Sequence, residues 1–166
     1  YYAVYALEKA GSANVVTTTM TTFTATSANM DSYISYAAAQ GTALNEPVIN
    51  NGEIRIYQNG GTLTITGNNG KKLTSITIGS SMVTFVSYKI DGGTESSNQS
   101  IAASGKFTLS EINASSVLFT CKGTSSSSRL YLNYLSVTYS GGNTVYYTTS
   151  PSCTTETTVC LVHKYG

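Results

Sequence analysis

The chain has 166 residues and a net charge of +1, only 10% of its residues are charged, and about three in ten are Ser or Thr. That length supports one core of ordinary size, and the absence of any basic block argues against a nucleic-acid partner, which is held largely by phosphate neutralisation. No stretch approaches the roughly 18 apolar residues of a spanning helix, so no membrane span is expected here.

The opening residues Tyr1-Tyr2-Ala3-Val4-Tyr5-Ala6 read as a strand with no capping or turn residue before it. A lone strand leaves a row of unpaired backbone groups. It must therefore dock on the rest of the fold, pair with the C-terminal segment or another chain, or fray. The expected organisation is a remnant strand of a preceding repeat plus linker over residues 1–14 and a complete module over 15–140. A linker and the start of a following segment then cover 141–166.

Residues 15–25 are rich in Thr, with Val16, Met20 and Phe23 spaced among them, and predict one or two short strands. Residues 31–39 carry Tyr33, Ile34 and Tyr36 and read as a strand, although Tyr36-Ala37-Ala38-Ala39 also suits a helical turn on propensity alone. Gly41, Pro47 and Asn50-Asn51-Gly52 make residues 40–51 a loop. Ile54 and Ile56 then alternate with Arg55 and Tyr57, Leu63 and Ile65 with Thr62, Thr64 and Thr66, and Ile76 and Ile78 continue the pattern. With turns at Asn59-Gly60-Gly61 and Asn68-Asn69-Gly70, this predicts a three-strand meander with one apolar face.

Residues 82–90 form a further strand ended by Asp91-Gly92-Gly93, a hairpin signal. Phe107 and Leu109 mark a short strand, residues 117–121 another, and 124–128 a hydroxyl-rich loop. In the last strand, residues 130–139, Leu130 and Leu132 share one parity and Leu135, Val137 and Tyr139 the other. A β-bulge near Asn133-Tyr134 would put all five on the core side. About eight to ten strands with regular turn signals and no substantial helix define an all-β, two-sheet antiparallel sandwich of jelly-roll or Greek-key type.

Cys121 shares a strand face with Val117 and Phe119 and reads as a buried thiol. Cys153 and Cys160 fit no tight metal-ligand spacing; they either close a small loop by disulfide or stay free. The one histidine, His163, lies outside 15–140, so no Ser-His or Cys-His pair can form within the module. The carboxylates are too scattered to predict a pair facing across a sugar. No enzymatic activity and no cofactor are expected. The segment Asp91-Gly92-Gly93-Thr94-Glu95 offers two carboxylates and several carbonyls to a calcium ion, or is fully explained as a hairpin turn.

The aromatic residues carry more information. There are 13 tyrosines and no tryptophan, and a tyrosine presents a flat apolar ring with a polar tip, as a sugar-binding surface requires. Arg55 and Arg129 are the only arginines, and each stands two residues before a tyrosine, Tyr57 and Tyr131. If their strands are neighbours, these four form one polar-aromatic patch, to which Tyr88 is added as a further ligand-binding candidate. The alternative is that each arginine pairs with a carboxylate such as Glu53 and each tyrosine merely covers a sheet face; a planar guanidinium beside a ring is also a common structural stack.

Two resemblances accompany these readings. The opening YYAVYA is similar to the final strand of the Listeria–Bacteroides repeat, a small module of bacterial surface proteins. Residues 15–140 resemble a β-sandwich module of cell-surface proteins of Bacteroides-type bacteria (Bacteroidetes). That likeness rests on Ser35-Tyr36, Gln40-Gly41, Asn45 with Pro47, and Gly52-Glu53-Ile54-Arg55-Ile56-Tyr57. It continues through Gly61-Thr62-Leu63-Thr64-Ile65, residues 73–78, Ser128-Arg129-Leu130-Tyr131 and Leu135-Ser136-Val137-Thr138-Tyr139. The resemblance implies an extracellular or cell-surface location and carries no catalytic residues to transfer. The expected function is a non-catalytic adhesion or carbohydrate-binding module of a modular repeat protein. Its partners would be a glycan, a host or bacterial surface protein, or neighbouring modules of the same chain. The alternatives are a structural spacer or stalk, or an accessory domain of a larger secreted enzyme.

Overall fold

The computed structural model describes residues 5–9, 15–141, 146–148 and 158–161, with side chains over 15–141. In chain order the strands are β1 (Tyr5–Lys9), β2 (Val15–Met20), β3 (Ser27–Asn29), β4 (Ile34–Ala39) and β5 (Val48–Asn50). There follow β6 (Glu53–Ile56), β7 (Thr62–Gly67), β8 (Lys72–Ser80), β9 (Thr84–Ile90) and β10 (Gln99–Ile101). The last are β11 (Gly105–Leu109), β12 (Ser116–Cys121), β13 (Leu130–Ser140), β14 (Tyr146–Thr148) and β15 (Thr158–Leu161). A single 3₁₀ turn, Ser126–Ser128, interrupts the strands, and there is no α-helix among the described residues.

Residues 15–141 form the expected all-β sandwich of two antiparallel sheets. One sheet has the order β10-β9-β12-β7-β4-β3; the other runs β11-β8-β13-β6-β5, with β2 also paired to β13. Period-two alternation turns one face of each strand inward. Ile54, Ile56, Ile76, Ile78, Leu130 and Leu132 meet Ile34, Leu63, Ile65, Val86, Val117 and Phe119 from the opposite sheet, all buried. Cys121 joins them as a buried free thiol, as its parity predicts.

The predicted meander is corrected. β6, β7 and β8 all form, but they alternate between sheets: β6 and β8 flank β13, while β7 lies between β12 and β4. Alternation reports which face is buried, and that is the same whichever sheet a strand joins. The turns decide the sheet. Asn59 and Gly60 adopt φ of 61° and 114°, and their amides donate to the carbonyls of Gly123 (2.8 Å), just past the end of β12, and Cys121 (3.0 Å), its last residue. That anchor carries the chain across the sandwich instead of folding it back. A Cβ on Gly61 would stand 2.6 Å from the Tyr57 carbonyl oxygen, so the corner requires glycine there. By contrast, the turn at Asp91 and Gly92, with φ of 47° and 70°, does close a hairpin and returns the chain to pair β10 with β9.

The bulge in β13 lies where the parity change requires it. Leu132 pairs with Ser80 and Tyr134 with the adjacent Gly79, leaving Asn133 as the extra residue, and all five apolar side chains of the strand are buried. On its other side β13 changes partner at the same place, from β6 at Leu130–Leu132 to β2 at Leu135–Ser140. A second irregularity inserts Thr74 into β8, which reconciles Leu73 with the opposite parity of Ile76 and Ile78.

Three smaller points have simple causes. The Tyr36–Ala39 segment is strand, because pairing with β7 along all six residues of β4 overrides the helical preference of Ala. β3 and β5 are three-residue edge strands, too short to show a period, and β5 lies within the predicted loop. β1 pairs antiparallel with both β14 and β15 in a separate three-stranded sheet, so the opening strand takes the C-terminal segment as its partner. Tyr1, Cys153 and His163 lie outside the described residues, as does the side chain of Cys160, and with them the proposed disulfide.

Candidate functional site

The candidate patch is built on the outer face of the sheet that holds β6 and β13. With Ile54 and Ile56 directed into the core, the pleat sends Arg55 and Tyr57 outward. β13 runs antiparallel beside β6, pairing Leu130 with Ile56, Tyr131 with Arg55 and Leu132 with Ile54. Tyr131 therefore faces outward beside Arg55, and continuing that register brings Arg129 beside Tyr57. Each guanidinium lies over the neighbouring strand's ring: the Cζ of Arg55 is 5.3 Å from the Tyr131 centroid, and that of Arg129 is 4.7 Å from the Tyr57 centroid. The result is a two-by-two checkerboard of arginine and tyrosine. Strand separation and rise set its spacing at about 5 Å across and roughly 7 Å along.

The electrostatics distinguish the two sequence-level alternatives for the arginines. Glu53 shares their face, but its Oε2 accepts a hydrogen bond from Ser81 Oγ at 2.8 Å. Among the described residues the ion pair present is Lys122–Glu95, and neither arginine takes part in one. Arg129 donates from Nε to Gln58 Oε1 at 2.8 Å, a neutral contact that steadies the side chain and leaves its charge uncompensated. Nε of Arg55 is buried and has no hydrogen-bond partner. Val48, paired with Arg55 on edge strand β5 and 40% exposed, adds an apolar margin.

Tyr88 does not belong with the other four. It lies in the opposite sheet on the inward parity of β9, shared with Thr84 and Val86. Its ring centroid is 6.0 Å from that of Phe107 and 6.3 Å from that of Phe119, a core-margin position. Asp91 and Glu95 are both engaged by protein groups. Asp91 Oδ1 accepts from the amides of Ser115 and Ser116, each at 2.8 Å, tying the hairpin turn to the start of β12. Glu95 Oε1 meets Lys122 Nζ at 2.6 Å just past the end of β12 and also accepts from the Ser87 hydroxyl. The hydrogen bond from Lys122, followed by that from Ser87, holds the Glu95 carboxyl below its ordinary range. The two carboxylates thus serve opposite ends of one strand, and no cluster of three or more metal-ligating side chains occurs among the described residues.

A second polar cluster was not anticipated from the sequence. Asp31 Oδ1 accepts from the amides of Tyr33 and Ile34 at 2.8 Å, which shapes the turn into β4, while Oδ2 accepts from Tyr139 Oη at 2.9 Å. Lys71 Nζ lies 4.6 Å from the Tyr33 ring centroid. Asp31 two residues ahead of a tyrosine carries a legible turn signal. Its bond to Tyr139 spans 108 residues and does not.

Burial first, and then the hydrogen bond to Asp31, push the Tyr139 phenol up to about 12 from an ordinary 10.0. Burial also raises that of Tyr36. Because the folded state favours the neutral phenol, this stabilisation is complete below the unfolded value and is lost as pH rises through the folded one. Ultraviolet difference titration should show a late phenol step near pH 12 from Tyr139. In Tyr139→Phe the latest step should vanish, and the steep fall in denaturation midpoint above about pH 10 should be reduced.

Neither a scan against protein-family models nor a search of curated proteins finds a match for this chain.

Proposed function

We propose that the chain is a non-catalytic β-sandwich module of a bacterial surface protein that binds carbohydrate through the outer face of the β6–β13 pair. The observation that carries this reading is the Arg55–Tyr57–Arg129–Tyr131 checkerboard, whose arginines form no ion pair among the described residues. Rings held at fixed spacing on a rigid sheet offer the apolar faces of sugar rings a platform. The adjacent guanidinium and phenol donors address their hydroxyls. The low overall charge and Thr-rich strands agree with an extracellular setting.

Affinity gel electrophoresis of the intact chain against a polysaccharide panel tests this. Tyr57→Ala and Tyr131→Ala should each weaken retardation about tenfold while leaving the unfolding midpoint nearly unchanged, since both side chains lie outside the core. No retardation by any polysaccharide would favour the second reading, a spacer or stalk. That reading draws on the large hydrophobic core and on hydroxyl pairs that cover the same sheet, such as Thr17–Thr138 (2.9 Å) and Thr77–Thr108 (2.8 Å).

A further inference from the structure

Resting on the carbohydrate reading, we infer that the occupant of this patch is an acidic saccharide, whose carboxylate or sulfate is received by Arg55 and Arg129 together. Diagonal neighbours on adjacent strands stand roughly 7–8 Å apart, so the two guanidiniums are close like charges on one face. Sheet faces ordinarily disfavour that arrangement unless a carboxylate intervenes. Glu53, two residues from Arg55 on the same strand, accepts a hydrogen bond from Ser81 Oγ at 2.8 Å and forms no ion pair with either arginine. The other acidic side chains described above, Asp31, Asp91 and Glu95, are committed to Tyr139, to the Ser115 and Ser116 amides and to Lys122.

The charge is also organised. Arg129 is oriented by Gln58 through Nε, which leaves the two terminal nitrogens of its fork to a ligand. Arg55 is fixed over the Tyr131 ring, with its Nε buried and unpartnered. A guanidinium presents paired donors that match the spacing of two oxygens on a carboxylate or sulfate. The tyrosines beside them supply ring faces, so an oxyanion carried on a pyranose meets both elements at once. A free inorganic anion would use only the first.

The test uses the intact chain in affinity gels containing polygalacturonate, the same polymer with its carboxylates methyl-esterified, or chondroitin sulfate. Retardation is expected with at least one acidic polymer and not with the ester; because polygalacturonate carries carboxylates alone, retardation by it shows that a carboxylate suffices. Arg55→Gln and Arg129→Gln should each weaken it at least about tenfold. The Lys exchanges Arg55→Lys and Arg129→Lys should restore only part of it, because an ammonium keeps the charge and loses the fork. Lys89→Gln, on the other sheet, should leave retardation unchanged. An equal loss in Lys89→Gln would mean diffuse charge attraction and overturn the inference. Equal retardation by acid and ester, lost in Tyr57→Ala but kept in Arg129→Gln, would overturn the acidic ligand and leave sugar binding standing. No retardation by any of the three polymers would overturn the acidic ligand, and retardation by a neutral member of the polysaccharide panel would then leave sugar binding standing.

Discussion

Phe119→Ala should destabilise the sandwich by about 3–5 kcal/mol, a large share of the roughly 5–15 kcal/mol that a domain of this size possesses. Phe119 is 1% exposed at the middle of β12, paired with Leu63 on one side and Tyr88 on the other. Its ring fills space between the sheets that flanking side chains fixed to a hydrogen-bonded ladder cannot collapse into. The comparison that isolates burial is Phe85→Ala. Phe85 lies on adjacent strand β9 but is 40% exposed, and the same substitution there should cost about 1 kcal/mol or less. Urea unfolding of the two variants reads the difference as a shift in midpoint at constant slope. Equal losses would mean that the inward face of β12 is wrongly assigned.

That contrast also shows how far the sequence could be read. Parity along a single strand identified Cys121 as buried, oriented Arg55 and Tyr57 outward, and required the bulge at Asn133, because each of these depends on residues close in the chain. What the sequence withheld was pairing. Nothing in residues 53–78 says that β6 and β8 share a sheet while β7 crosses to the other. The crossing is enforced by the Asn59 and Gly60 amides reaching carbonyls at the far end of β12. Tyr88 was grouped with the arginines because it is a strand tyrosine, whereas its parity with Val86 was the better guide. The two Arg-x-Tyr runs were legible as a repeat, but only the β6–β13 ladder makes them neighbours. The link from Asp31 to Tyr139 depends on a fold already formed and has no local signature.

Deleting one residue from a strand should have opposite consequences in β13 and β7, and this tests the register directly. Without Asn133, Leu132 and Tyr134 become consecutive opposite Ser80 and Gly79, which are already consecutive on β8. The sequence then alternates without a break, all five apolar side chains still face inward, and β13 remains free to pass from β6 to β2. The variant should fold with a change in stability of no more than about 1.5 kcal/mol, of the size expected for a volume-conserving repacking. Deleting Thr64 is different. Leu63 and Ile65, both fully buried, become adjacent, so a pleated strand can keep only one of them inside. β7 is an interior strand paired with β12 and β4, and any slip that rescues one side chain misaligns both ladders. The loss is at least that of truncating a buried leucine, about 2–5 kcal/mol, before any broken pairing is counted. Circular dichroism and urea midpoints should therefore find the Asn133 deletion near the parent and the Thr64 deletion unfolded or barely folded. The reverse order would mean that the bulge, and not the uninterrupted alternation of β7, holds the two sheets in register.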